Sequence, residues 1–175
     1  MAKTNSLGLV QVYTGNGKGK TTAALGLALR ASGQGFRVGI VQFLKGNCLC
    51  GEHRFLDKYP GFAILQPANR SPFGQPLARL RADAQEALLL AAEMVVSSDY
   101  DLLVLDEVLT ALQGGLLESE QVLSLLAGKP DELELVLTGR GAPPEVIAVA
   151  DLVTEMVSVK HPFDRGVAAR RGVEY

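Results

Sequence analysis

Thr14-Gly15-Asn16-Gly17-Lys18-Gly19-Lys20-Thr21-Thr22 is the stretch on which the reading of the fold turns. Leu7–Thr14, ahead of it, is mostly apolar and reads as a strand. Lys20 to about Ser32, behind it, reads as a helix: Ala23, Ala24, Leu25, Leu27, Ala28 and Leu29 are good formers of modest size, and Gly33 and Gly35 mark the end. Between the two, Gly15, Gly17 and Gly19 let the backbone turn tightly and approach a ligand without a Cβ in the way. The loop N–H groups then converge at a helix start, where unpaired donors and the dipole favour an anion. Lys20 adds a point charge for phosphate, the Thr21 hydroxyl suits a magnesium ion, and Thr22 is a second polar group at the helix start. The general pattern G-x-x-x-x-G-K-[ST] asks for glycine at position 14, where this chain has Thr14, but the Gly19-Lys20-Thr21 core is intact.

Working outward, Phe36–Phe43 reads as a second strand, Leu77–Val96 as a long helix, and Tyr100–Val108 as a strongly apolar strand ending in acids. Ser119–Ala127 is a short helix, Leu133–Thr138 a strand, Gly139–Pro144 a turn, Glu145–Ala150 a short helical segment and Leu152–Val159 a last strand. Asn47–Gln75, broken by glycines and prolines, reads as irregular. Strands that are apolar along most of their length and alternate with helices imply a parallel sheet covered on both faces. The expectation is one α/β domain over residues 1–175, P-loop NTPase-like (RecA-like), with a mostly parallel sheet and helices on both faces.

Asp106 and Glu107 are delivered by the Leu102-Leu103-Val104-Leu105 run to the C-terminal end of their strand. That is the edge where open parallel sheets bind ligands. Asp106 is the natural partner of a magnesium ion, directly or through water, with Thr21, or else caps the next segment. Glu107 either orients a water, a substrate or the metal shell, or caps the next segment. Arg140, in the loop after Leu133–Thr138, faces the same edge and can compensate charge on a transferring group. These residues alone serve ATP hydrolysis, kinase chemistry or motor function equally well.

Composition narrows the classes. Apolar residues make up 47% and charged residues 21%, and the formal net charge of -2 provides no global field for nucleic acid or an anionic membrane. No apolar run approaches the roughly 20 residues that span a bilayer, and Met1–Gly8 lacks the apolar segment of a signal peptide. The expected location is therefore the cytoplasm, with no nucleic-acid or membrane partner. Cys48 and Cys50 are expected to be thiols in or near a loop, because two thiolates leave a tetrahedral zinc site short of ligands.

With these residues in hand, the chain resembles the P-loop ATP:corrinoid adenosyltransferases. The likeness runs through Gly15–Thr22 with its non-glycine at position 14, Val41-Gln42-Phe43-Leu44-Lys45-Gly46, Gly51-Glu52, Val104-Leu105-Asp106-Glu107 and Thr138-Gly139-Arg140-Gly141. It closes on Val159-Lys160-His161-Pro162-Phe163-Asp164-Arg165-Gly166 and Ala169-Arg170-Arg171-Gly172-Val173-Glu174-Tyr175. The resemblance implies transfer of the 5′-deoxyadenosyl group of ATP to a Co(I) corrinoid with release of triphosphate. Co(I) is then the nucleophile at the ribose C5′, and the protein orients, balances charge and excludes water. It also implies that Gly15, Asn16, Gly17, Lys18, Gly19, Lys20, Thr21 and Thr22 hold the triphosphate, with Lys20, Arg140, Asp106 and Glu107 at the reacting end and Thr21 and Asp106 on Mg²⁺. A homodimer and a corrinoid reductant or reductase are the implied partners. His161 either contacts phosphate or corrinoid or fixes its turn, and Phe73 either contacts corrinoid or anchors its loop. The chain departs from the family pattern in having about six residues before the first strand and no tryptophan in Phe62–Phe73. The competing readings are another P-loop ATPase or kinase, and a nucleotide-dependent sensor that binds ATP and corrinoid without turnover.

Overall fold

A computed structural model describes residues 7–46, 50–68 and 71–174. Cys48, Asn69, Arg70 and Tyr175, and the first six residues, lie outside the described residues. In chain order the strands are β1 (Val10–Thr14), β2 (Val38–Gln42), β3 (Ala63–Leu65), β4 (Leu102–Asp106), β5 (Glu134–Thr138) and β6 (Leu152–Glu155). The helices are α1 (Lys20–Gly33), α2 (Gly51–Leu56), α3 (Leu77–Val96), α4 (Val108–Gln113), α5 (Ser119–Ala127) and α6 (Pro144–Val149), with a 3₁₀ turn at Pro162–Arg165.

The strands form one six-stranded sheet in the order β3-β2-β4-β5-β1-β6, and every pairing is parallel. A strand buried on both faces must be apolar at consecutive positions, and the alternation shows which face each side chain serves. Val38, Ile40, Leu102, Val104 and Val136 pack with Ala24, Ala28 and Ala31 of α1. Val41, Leu103, Leu105, Leu135 and Leu137 point the other way, into a larger core shared with α3, α4, α5 and α6. The α1 alanines recur at i, i+4 and i+7, so one face of small side chains brings the helix close to the sheet. Gly39 is needed on the opposite face, where an added Cβ would stand 2.7 Å from Met94 Cε and 2.8 Å from Leu103 Cδ2.

Three expectations are corrected. The acidic strand stops at Asp106 rather than Val108, because Glu107 takes a left-handed backbone (φ 66°) and α4 begins at once. The stretch expected to be irregular contains α2 and β3, elements of six and three residues that are too short to show a period. The last strand ends at Glu155, where the backbone leaves the sheet and Met156 turns against the phosphate loop: the Gly17 N–H donates to the Met156 carbonyl at 2.6 Å.

Because all six strands run parallel, their C-terminal ends share one edge. Leu103 lies wholly inside the larger core, whereas Leu89 on α3 is 67% exposed. Leu103→Ala is expected to lower unfolding stability by about 2–5 kcal/mol. Leu89→Ala should stay within about 0.5 kcal/mol of the parent. Urea denaturation followed by circular dichroism reads both, and equal midpoints for the two variants would contradict the assigned core.

Candidate functional site

The common edge gathers the phosphate loop after β1, Lys45 after β2, Asp106 and Glu107 at the end of β4, and Thr138–Arg140 at the end of β5. A cleft of about 500 Å³ opens there. The loop residues from Asn16 to Thr22 line one side. Lys45, Glu52, Glu107, Arg140 and His161 line the rest, together with Gly172, Val173 and Glu174 of the C-terminal tail.

In the loop, Gly15 (φ 95°) and Gly19 (φ 121°) occupy backbone regions that only glycine adopts at little cost. The glycines do a second job that the motif does not reveal. A Cβ at Gly15 or Gly17 would stand 2.5 or 2.6 Å from the Met156 carbonyl oxygen. Thr14, in the place of the expected glycine, is buried, and its Oγ1 accepts the Ala142 N–H at 3.3 Å. The departure from the general pattern thus ties the phosphate loop to the turn that carries Arg140.

Lys20 is only 7% exposed, and its ammonium donates to the Gly15 and Gly17 carbonyls at 2.7 and 2.8 Å. Burial pushes its pKa down; Glu107 pulls it back up, Arg140 lowers it further and Asp106 raises it. A triphosphate in the cleft offers this ammonium better acceptors than two neutral carbonyls.

Asp106 is 1% exposed and its carboxylate receives four donors. Oδ1 accepts from the Thr21 hydroxyl at 2.9 Å and the Thr138 hydroxyl at 2.7 Å. Oδ2 accepts from Lys45 Nζ at 2.6 Å and Gln42 Nε2 at 3.3 Å, and Gln42 is itself held by Gln66 Nε2 at 2.8 Å. Thr21 and Asp106, read from the sequence as a metal pair, therefore adjoin each other. The donor set fits magnesium: a hydroxyl and a carboxylate are hard oxygen ligands, and a cation, the Lys45 ammonium, already lies against both. None of the four bonds places Asp106 as a helix cap.

Glu107 stands at the N-cap position of α4 but bonds no backbone N–H with its side chain; it accepts from the Thr110 hydroxyl instead. Its own N–H donates to Thr138 Oγ1 at 3.0 Å. Arg140 is exposed on the cleft, and its N–H donates to Thr110 Oγ1 at 3.0 Å. Gly139 (φ 141°) permits that approach, since a Cβ there would lie 2.5 Å from the Thr110 nitrogen. His161 lines the cleft and also caps the 3₁₀ turn, where Nδ1 accepts the Phe163 N–H at 3.2 Å.

Phe73 is 90% exposed and is not among the cleft-lining residues. Gln42, Lys45 and Thr138 carry no role in the motif reading. Their signal is positional, because each sits at or just past the C-terminal end of a strand. Cys50, expected as a thiol, is not a free thiol. Its sulfur lies within 4.8 Å of ligand atoms of Glu52 and His53. Among the described residues no helix is long and apolar enough to cross a membrane.

Residues 6–175 match the sequence model of a family described as ATP:corrinoid adenosyltransferase BtuR/CobO/CobP. A corrinoid adenosyltransferase of Pseudomonas aeruginosa is 41% identical over 170 residues, covering 96% of this chain and 84% of that protein. One from Escherichia coli K12 is 37% identical, with 96% and 86% covered, and one from a Sinorhizobium species is 38% identical, with 99% and 83% covered. Among solved structures, a KaiC-like protein from Pyrococcus horikoshii superposes with a TM-score of 0.55 at 20% identity, over 85% of this chain and 73% of that one. That likeness shows the shared mostly parallel, helix-flanked P-loop fold.

The C-terminal tail is fastened over the loop by charge. Lys18 Nζ donates to the Val173 carbonyl at 3.0 Å and to Glu174 Oε1 at 3.1 Å, and Arg170 grips both oxygens of the same carboxylate. Those bonds, Arg170 first, hold the Glu174 pKa at about 2, down from 4.5. Because Arg170 lies in the tail itself, the depressed carboxyl chiefly stabilises the tail's closing turn and, through Lys18, its docking. That contribution is complete above the ordinary value and disappears as pH falls from 4.5 towards 2. A carbon-13 titration of the Glu174 carboxyl should give a midpoint near the lower value, and Glu174→Gln should speed tryptic cleavage after Arg170 and Arg171 at neutral pH. An unshifted midpoint with unchanged cleavage would show that the tail is not held this way.

Proposed function

As the chain belongs to the ATP:corrinoid adenosyltransferase family, whose reaction moves the adenosyl group of ATP to a Co(I) corrinoid, we propose that the cleft at the sheet edge is where it performs that transfer. The observation that carries the assignment is the convergence of the phosphate loop, Lys45 and Arg140 on one cleft, with buried Asp106 bonded to two of its lining residues, Thr21 and Lys45, in a chain matched by the family over residues 6–175.

Gly15–Thr22 holds the triphosphate by its N–H groups, with Lys18 and Lys20 as added cations. To reach it, the Lys20 ammonium exchanges the Gly15 and Gly17 carbonyls for phosphate oxygens. Thr21 and Asp106 hold Mg²⁺, which when bound offsets the negative charge of the phosphates. The electron pair of Co(I) forms the cobalt–carbon bond at the ribose C5′ while the C5′–O bond breaks, and triphosphate departs with the bonding pair of that C5′–O bond. No side chain attacks. Lys20 and Arg140 balance the charge that grows on the leaving oxygens, and charge stabilisation of this kind is worth most in a site closed to water. Glu107, held by Thr110 beside Arg140, orients the groups at the reacting end. His161 contributes a wall of the cleft while fixing its own turn.

The corrinoid is larger than the cleft that takes the triphosphate. Exposed aromatic surface on neighbouring loops supplies its contact, and Phe73, in the segment after β3, is the candidate. A homodimer is supported by exposed Leu152, Val153, Val157 and Val159 along the edge strand β6 and the residues after it. A reductant or reductase partner supplies the Co(I) state. We place the chain in the cytoplasm as one nucleotide-binding α/β domain, without nucleic-acid or membrane partners.

Anaerobic incubation with MgATP and chemically reduced cobalamin or cobinamide is expected to give adenosylcorrinoid and triphosphate in equal amounts. ADP and phosphate without alkylation would overturn the assignment. Lys20→Ala (K20A) and Arg140→Ala should each lower turnover by about a hundredfold or more. An unchanged rate in either variant, read by the cobalt–carbon absorbance, would remove that residue from the reaction.

A further inference from the structure

A carboxylate as deeply buried as Asp106 needs a compensating charge, and the cation that meets it is not the one the phosphate-loop motif supplies. Lys20 turns its ammonium onto the Gly15 and Gly17 carbonyls. Lys45 Nζ lies 2.6 Å from Asp106 Oδ2 and 3.3 Å from Thr21 Oγ1, so one ammonium rests on both side chains assigned to the metal. We propose that Lys45 is a tethered placeholder for the divalent cation: its ammonium holds the metal's seat before nucleotide binds and gives it up readily when nucleotide arrives.

The physical case has three parts. First, two cations do not share one carboxylate oxygen at contact distance without strong repulsion in a site of low dielectric. A divalent ion arriving alone must therefore evict the ammonium and leave it uncompensated. Second, the ammonium has somewhere to go when ATP is present. The Lys45 side chain is 24% exposed and lines the cleft that takes the triphosphate. A lysine is a compact charge on a flexible stem, suited to swinging from carboxylate to phosphate. Third, the remaining bonds to Asp106 need not change. Thr138 and Gln42 keep the carboxylate in place, and Gln66 keeps Gln42 in place.

The consequence is a coupling. Metal and ATP each make room for the other by relocating the same ammonium, so each raises the other's affinity by the same factor. Lys45 finishes on the triphosphate, one more charge on the leaving group. This inference rests on the reading that Thr21 and Asp106 hold the metal, and its test reads metal binding without any corrinoid, so adenosyl transfer does not enter.

Mn²⁺ binding to the purified full chain, followed by electron paramagnetic resonance with and without ATP, gives the answer. The parent chain should bind Mn²⁺ alone weakly and gain strongly when ATP is added. Lys45→Met should bind Mn²⁺ alone at least about tenfold tighter than the parent, and the gain from ATP should shrink by the same factor. Lys45→Arg, which retains a cation, should behave like the parent. Lys45→Gln, whose amide leaves Asp106 a donor, gives the same comparison should the methionine variant not fold. Adding Asp106→Asn should abolish the tightened site, which locates the ion. A neutral variant that is folded and binds Mn²⁺ no tighter than the parent would overturn the placeholder role. Mn²⁺ binding that ignores Asp106→Asn even with ATP present would overturn the metal assignment, and the proposal with it.

Discussion

Burial of one carboxylate organises this site. Asp106 sits at the end of a central strand, closed off from water, and an anion in that position is tolerable only with nearly every lone pair matched. The four groups that match it come from α1, the end of β2, the loop after β2 and the end of β5. A single side chain therefore fixes the mutual placement of three segments that are far apart in sequence, α1, β2 with its following loop, and β5. The phosphate loop is aligned from both ends, by Thr21 on Asp106 and by Thr14 under Ala142.

The parallel sheet makes that convergence possible. With every strand running the same way, each loop that carries chemistry opens at one edge, and the donors need not be adjacent in the chain. Asp106 and the phosphate loop are not on neighbouring strands; β5 lies between β4 and β1, and Thr138 at its tip spans the gap. The Thr138 hydroxyl also accepts the N–H of Glu107, whose left-handed backbone swings the next carboxylate away from the sheet and starts α4. Two adjacent acids thereby acquire different surroundings: one buried and saturated, the other on the cleft beside Arg140.

Much of this was legible in the sequence because the relevant signals are local. A strand, a glycine turn and a helix of small residues identify the phosphate loop, and an apolar run ending in Asp106 locates the second element. The order of the strands and the role of Lys45 were not legible, since both depend on which distant ends meet. Lysine at that position looks like any loop lysine until β2 and β4 pair in register, Gln42 against Asp106. Short α2, β3 and α4 escaped because a period needs more residues than they possess. Phe73 carried an aromatic signal, yet its ring stands outside the cleft, and aromaticity alone says nothing of direction.

The contact between the phosphate loop and Met156 has an implication for how the chain can change over time. Gly15 and Gly17 press against a carbonyl that belongs to the exit of β6, so the loop's curvature is copied from the length of the edge strand paired with β1. A single residue added between Glu155 and Met156 would present a different backbone atom to the glycines and remould the nucleotide seat, with every residue of the motif still present.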